Sequence, residues 1–300
     1  MPHNQISNFF RDKFYEESSF QKKFQSEIIS VSSRLSKWNE QFATALREML
    51  YEKQIISERN TDLKQLHHTI DEKYFVCETK GKDNNSRPLI SDIGFEFLEN
   101  NNELYLDFLK HVYTDIVKED FYFQKTPTIR FHVPEHNKHL FLPAWHCDSI
   151  LGHSPKEINI WFSLTDNKHS DFWIGDLKHT QEWLSEYDFN FEKWKQTCFT
   201  YNKEFVEKGH KICKPVEDIY NNIIMFDSRC IHAATYRDYK DLTTKITIDL
   251  RIILTKDYEW VKIDNKPLYV GDGIQKAEFR PGHKFGYHQK SIKELCNEKP

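Results

Sequence analysis

Glycine and proline are scarce in this 300-residue chain, at 9 and 10. That scarcity argues against a low-complexity or linker-dominated chain. No apolar run reaches the length of about 18 residues that a membrane-spanning helix needs. The opening MPHNQISNFFRDKF lacks the basic start and apolar core of a secretion signal. Six cysteines (77, 147, 198, 213, 230 and 296) form no CxxC pair, so reduced thiols in a cytoplasm are the expectation. Neither GxGxxG nor GxxxxGK[ST] occurs, which removes support for those nucleotide cradles, and there is no internal repeat. An excess of charge of one sign is missing too. Lys plus Arg total 42 against 46 Asp plus Glu, a net charge of −4. Neither nucleic acid nor membrane is an expected partner.

Aromatic residues are abundant, at 23 Phe, 14 Tyr and 7 Trp, enough apolar surface for a substantial core. From about 8 to 75 the apolar residues keep helical spacing. Phe20, Phe24, Ile28, Val31 and Leu35 step by three or four, as do Phe42, Leu46 and Leu50. This predicts two or three amphipathic helices with breaks near 32–36 and 58–62, packed on the outside of a core. A homodimer formed through them is the alternative. Residues 78–93 read as a loop and 102–118 as a further helix. Strand-like segments follow at 127–133, 156–164, 221–227 and 243–254, with a helical or irregular insertion at about 179–208. Helices first and strands later predicts an α+β protein, a barrel or sandwich with helical support. No linker splits the chain, so one domain over 1–300 is expected: helical support to about 120, a core over 125–255, and a C-terminal stretch over 256–300. That last stretch is read as a wrap around the core rather than a lid.

The segment FLPAWHCDSILGH holds His146-Cys147-Asp148. On a strand, residues two apart share a face with Cα atoms roughly 6–7 Å apart, so the imidazole and the carboxylate converge while Cys147 points away. His232, in FDSRCIHAATYR, follows a strand-like segment and is the natural third ligand. Two histidines and one carboxylate on one side of a metal leave adjacent positions open, as non-haem iron(II) chemistry requires. With 15 histidines in the chain, an HxD tripeptide arises easily by accident. Its setting between strands, the later His after a strand and a nearby cationic strand give it weight.

That cationic strand is TTKITIDLRIIL. Lys245, Thr247, Asp249 and Arg251 alternate with Ile246, Ile248, Leu250 and Ile252, giving one polar and one apolar face. A dicarboxylate cosubstrate needs a cation with a neighbouring hydroxyl, which Lys245 with Thr247 supplies. Arg251, on the same face, reaches the metal end or pairs with Asp249. An ordinary edge strand with salt bridges is the plain alternative.

The run WHCDSILGHSPKEINIWFSLTD, then DFWIGDLKHT, FDSRCIHAATYRD and TTKITIDLRI, resembles the phytanoyl-CoA-hydroxylase-like oxygenases, and within them the StrG-like branch. The resemblance covers roughly 125–255. It implies a double-stranded β-helix (jelly-roll, cupin-like) core, Fe(II) and 2-oxoglutarate, with His146, Asp148 and His232 as metal ligands and catalytic centre. The family's cosubstrate anchor is an Arg-x-Ser on the strand after the distal His. This chain has Lys245-Ile246-Thr247 there and an Arg only at 251, so the anchor lies between Lys245 and Arg251. Related halogenases carry a small residue in place of the carboxylate, so Asp148 speaks against halogenation. The implied reaction couples decarboxylation of 2-oxoglutarate to oxidation of a small polar metabolite: a sugar, a nucleotide-linked sugar or an amino acid. A cupin-type sugar epimerase or isomerase, or a metabolite-binding barrel without redox activity, are the competing readings.

Arg130 and His132 share a strand face and are candidates for contact with cosubstrate or substrate, against simple structural pairing. Asn159 is a candidate cosubstrate contact, and Ser149 and His153 candidate substrate contacts. Trp145 and Trp161 read as core, and Cys147 and Cys230 as packed and inert.

Overall fold

The computed structural model describes residues 11–32, 36–71, 92–132, 144–151, 153–166, 172–198, 200, 202–217, 220, 222–235, 243–258 and 286–298. The stretch 78–91 of the expected loop, and 259–285 of the C-terminal stretch, lie outside them.

Helix α1 (Ser19–Phe24) is opened by a capping box, Ser18 with Gln21, and stopped by Gln25 in the left-handed region at φ 53°. Strand β1 (Ile28–Ser32) follows, where the spacing predicts continued helix. The correction has a tertiary cause: β1 pairs antiparallel along its whole length with β7 (Asn222–Asp227), and that ladder overrides the local period. Helix α2 (Ser36–Glu52) is the long amphipathic element. Its Phe42, Leu46 and Leu50 are buried, as expected. Asp92 and Ile93 correct a second expectation, since they open helix α3 (Asp92–Asn100) rather than end a loop. Helix α4 (Asn102–His111) gives way to a π-helical turn at Val112–Val117, within the expected 102–118.

The main sheet is antiparallel, in the order β1-β7-β4-β9-β2. Here β2 is Phe121–Phe123, β4 is Ile158–Ser163 and β9 is Lys245–Leu254. Strand β3 (Thr128–His132) lies against the first half of β9 and β2 against the second. A smaller antiparallel sheet has the order β6-β5-β8, from Lys214–Pro215, Phe172–Ile174 and His232–Ala234. Three helices fill the insertion between β5 and β6: α5 (Leu177–Ser185), α6 (Phe191–Cys198) and α7 (Lys203–Ile212). Helix α8 (Ile292–Asn297) closes the described chain.

The alternation along β9 sorts the interior. Ile246, Ile248, Leu250 and Ile252 join Phe42, Phe97, Phe108 and Phe162 in the core between the main sheet and the helices. The opposite face meets the small sheet, where Trp161 of β4 stacks on Phe172 of β5 at 4.6 Å and 17°. Phe172 in turn lies 5.6 Å from Phe226 of β7, so the two sheets share an aromatic layer. Among the described residues the protein is a mixed assembly of helices and antiparallel sheet. No described helix is long and apolar enough to cross a membrane.

Candidate metal centre

His146 and His232, distant in sequence, form an isolated antiparallel bridge. The His146 amide donates to the His232 carbonyl at 3.1 Å and the reverse bond is 2.7 Å. This bridge adds residue 146 to the edge of the small sheet at β8. Asp148 is not on a strand, which corrects the simple two-apart argument. It begins a 3-10 turn, Asp148–Leu151, and its amide is fixed by the Ser228 carbonyl at 3.0 Å. The side chains nonetheless converge. One ligand atom each from His146, Asp148 and His232 lie within 4.8 Å of one another, so the three can hold a metal ion.

The atoms that face away from this point are already engaged. His146 Nδ1 donates to the Ala144 carbonyl at 2.7 Å, and His232 Nδ1 to the Cys230 carbonyl at 3.0 Å. A carbonyl only accepts, so each ring carries its proton on Nδ1 and turns a lone pair on Nε2 toward the site. Asp148 Oδ2 accepts from Asn159 Nδ2 at 2.8 Å and from Arg251 Nε at 2.9 Å. Its Oδ1 is left toward the histidines, 3.8 Å from His232 Nε2.

Electrostatics keeps the set ready to ligate. Burial, helped by the charges of His232 and Arg130, pushes His146 down to about 3, and burial likewise pushes His232 down. Burial acting alone raises the Asp148 carboxyl, but Arg251 and the neighbouring imidazoles outweigh it and hold the group well below the usual carboxylate range. At neutral pH the site therefore offers two neutral imidazoles and an anion. The two thiols beside it are closed in, with burial pushing both Cys147 and Cys230 up and out of reactivity.

The other sequence candidates divide. Arg251 and Asn159 belong to the site, both as donors to Asp148. Arg130 does not reach the triad by a direct bond: its Nε pairs with Asp249 Oδ2 at 2.6 Å. Lys245 and Thr247 stand farther along the same inner face of β9, Lys245 opposite His132 and Thr247 opposite Arg130 and Ser163. Both are buried, and the Thr247 hydroxyl has no hydrogen-bond partner. Ser149 is buried with its hydroxyl likewise unpartnered. Trp145 is core, its indole donating to the Val206 carbonyl of α7 at 3.1 Å. Glu157 and Tyr287 carry no local signal in the sequence, yet both are buried close behind Arg251.

No protein-family model and no curated protein sequence matches the chain. The chain has distant similarity to several solved structures, some of them named as non-haem iron enzymes. EctD from S. alaskensis with bound Fe is 12% identical over 90% of this chain and 83% of that one, with a TM-score of 0.47. The non-haem alpha-ketoglutarate-dependent carbocyclase SnoK from nogalamycin biosynthesis is 10% identical, over 88% and 96% of the chains, at 0.38. AviO1 from Streptomyces viridochromogenes Tue57 is 13% identical, over 76% and 91%, at 0.37. Identities and scores this low transfer neither a reaction nor a ligand to this chain.

Proposed function

We propose that the chain is an Fe(II)- and 2-oxoglutarate-dependent oxygenase, a single domain with a double-stranded β-helix core. Its substrate is a small polar metabolite such as a sugar, a nucleotide-linked sugar or an amino acid. One observation carries the reading: two Nε2 lone pairs and one carboxylate oxygen face a common point, while every opposite atom of the three side chains is tied down. Such a two-histidine, one-carboxylate set suits non-haem iron and leaves room beside it for further ligands.

The residues also fit the cosubstrate. Lys245, buried on the same face of β9 as Arg251, is the candidate cation for the distal carboxylate of 2-oxoglutarate. The unpartnered Thr247 hydroxyl, two residues along the same face, completes that anchor. When bound, iron and 2-oxoglutarate supply the activation of dioxygen. The chain's own contribution is positional. Asn159 and Arg251 orient Asp148, the Ala144 and Cys230 carbonyls fix the imidazoles, and Phe172 and Phe226 crowd His232 at 5.7 and 5.1 Å and exclude water from that flank. Cys147, Cys198, Cys213 and Cys230 are buried and in no disulfide, which fits a reducing cytoplasm.

The test is anaerobic addition of Fe(II) and then 2-oxoglutarate to metal-free protein. A weak visible charge-transfer band should appear, vanish in Asp148→Ala and His232→Ala, and need more 2-oxoglutarate in Thr247→Val. Metal binding without a band in the unmodified protein would reject the oxygenase in favour of a non-oxidative epimerase, isomerase or binding barrel.

A further inference from the structure

Behind the triad lies a second buried carboxylate. Glu157, one residue before β4, is 3% exposed, and Asp148 is 2% exposed. A single guanidinium stands between them: Arg251 Nε is 2.9 Å from Asp148 Oδ2 and 4.0 Å from Glu157 Oε2. Glu157 is held by one hydrogen bond, from the Tyr287 hydroxyl to Oε1. Its buried Oε2 accepts no hydrogen bond, although His153 Nδ1 stands 3.1 Å away. Burial and the Glu157 charge push Tyr287 well above the usual phenol range, so it stays a donor.

Tyr287 belongs to the C-terminal segment, and its backbone is fixed independently of its hydroxyl. Residue 287 forms an antiparallel bridge with Gln124, at the end of β2. The Lys125 amide donates to the Gly286 carbonyl and the His288 amide to the Phe123 carbonyl, both at 2.8 Å. The His288 ring stacks on Phe123 at 5.0 Å and 11°. Residues 286–288 are thus held against the end of β2 by one antiparallel bridge, and the Tyr287 side chain reaches the carboxylate.

The charges give this arrangement a purpose. A guanidinium paired with Asp148 alone would neutralise the anion that the metal needs. A second buried carboxylate shares the guanidinium and leaves Asp148 a stronger ligand, while Oδ2 stays occupied and Oδ1 is the oxygen presented. We propose that Glu157, clasped by Tyr287, is a positioning residue of the metal centre, and that the C-terminal segment is thereby part of that centre. This inference rests on the reading of His146, Asp148 and His232 as metal ligands.

The experiment is titration of metal-free full-length protein with Co(II), following the visible ligand-field spectrum, together with thermal unfolding of the metal-free form. Glu157→Gln should weaken Co(II) binding by up to about 10-fold, the low end of the range for groups bonded directly to a ligand, because it acts through Arg251, and alter the spectrum. Glu157→Asp should recover part of the affinity. Tyr287→Phe, which deletes one oxygen and keeps the ring, should weaken binding in the same direction by less. If the unmodified protein takes up no Co(II), the metal-centre reading itself fails. If it does, and Glu157→Gln binds with unchanged affinity and spectrum, the positioning role is overturned, whatever happens to its melting temperature.

Discussion

The indole of Trp145 packs against Gly209 of α7, so close that a Cβ built on Gly209 would lie 2.1 Å from its Nε1. This contact joins the helical insertion to the residue next to His146. Gly209→Ala must push Trp145 aside and strain its bond to the Val206 carbonyl. We expect a loss of about 1–3 kcal/mol, the usual penalty for overpacking, together with weaker metal uptake because His146 moves with its neighbour. Chemical denaturation and metal titration of this variant check both parts. Wild-type stability would mean that α7 can shift freely.

Arg229, three residues before His232, should prove one of the costliest positions to truncate. Its side chain is 1% exposed and pairs with Asp227 Oδ2 at 2.7 Å. It also donates to the carbonyls of Lys13, Phe14 and Glu16 and to Gln21 Oε1. Arg229→Met leaves Asp227 buried without its cation, a loss of about 3–5 kcal/mol. The N-terminal segment should then become sensitive to limited proteolysis before the rest of the chain does. Proteolysis that starts elsewhere would show that this segment is held by other contacts.

The metal-free protein should lose stability on mild acidification. His146 is held down to about 3 in the folded state against an ordinary 6.5, and His232 is displaced the same way. Between those values the unfolded chain binds protons that the folded chain refuses. The contribution is therefore fully present above about 6.5 and declines as pH falls toward 3, by up to ~1.4 kcal/mol per pH unit for one such group. Urea unfolding of metal-free protein at pH 7 and pH 5 measures it. Greater stability at pH 5 would contradict the burial of the two rings.

The readable part of the sequence was the part whose period matches its burial. In β9 every second residue faces the helical core, so strict alternation marked both the strand and its polar face. The grouping of His146, Asp148 and His232 was legible in the HxD spacing and in a later His after a strand, although the strand geometry argued for the pair does not hold, since Asp148 opens a 3-10 turn. Strand β1 was hidden, since Phe20, Phe24, Ile28 and Val31 keep a helical step that only the ladder with β7 overrides. Strands β2, β5 and β8, at three residues each, are too short to carry a period. The Glu157–Tyr287 contact joins positions 130 apart in sequence, and nothing local announces a partner at that distance.

The bridge between His146 and His232 also fixes when the site comes into being during synthesis. A ribosome that has released only the first 231 residues has made two of the three ligands and neither strand β8 nor strand β9. The amide and carbonyl of His146 have no partner until His232 arrives, and Asp148 waits for the guanidinium at 251. On the proposed function, metal loading therefore waits until the polypeptide has passed residue 251, and a chain terminated before His232 has no complete site with which to compete for it.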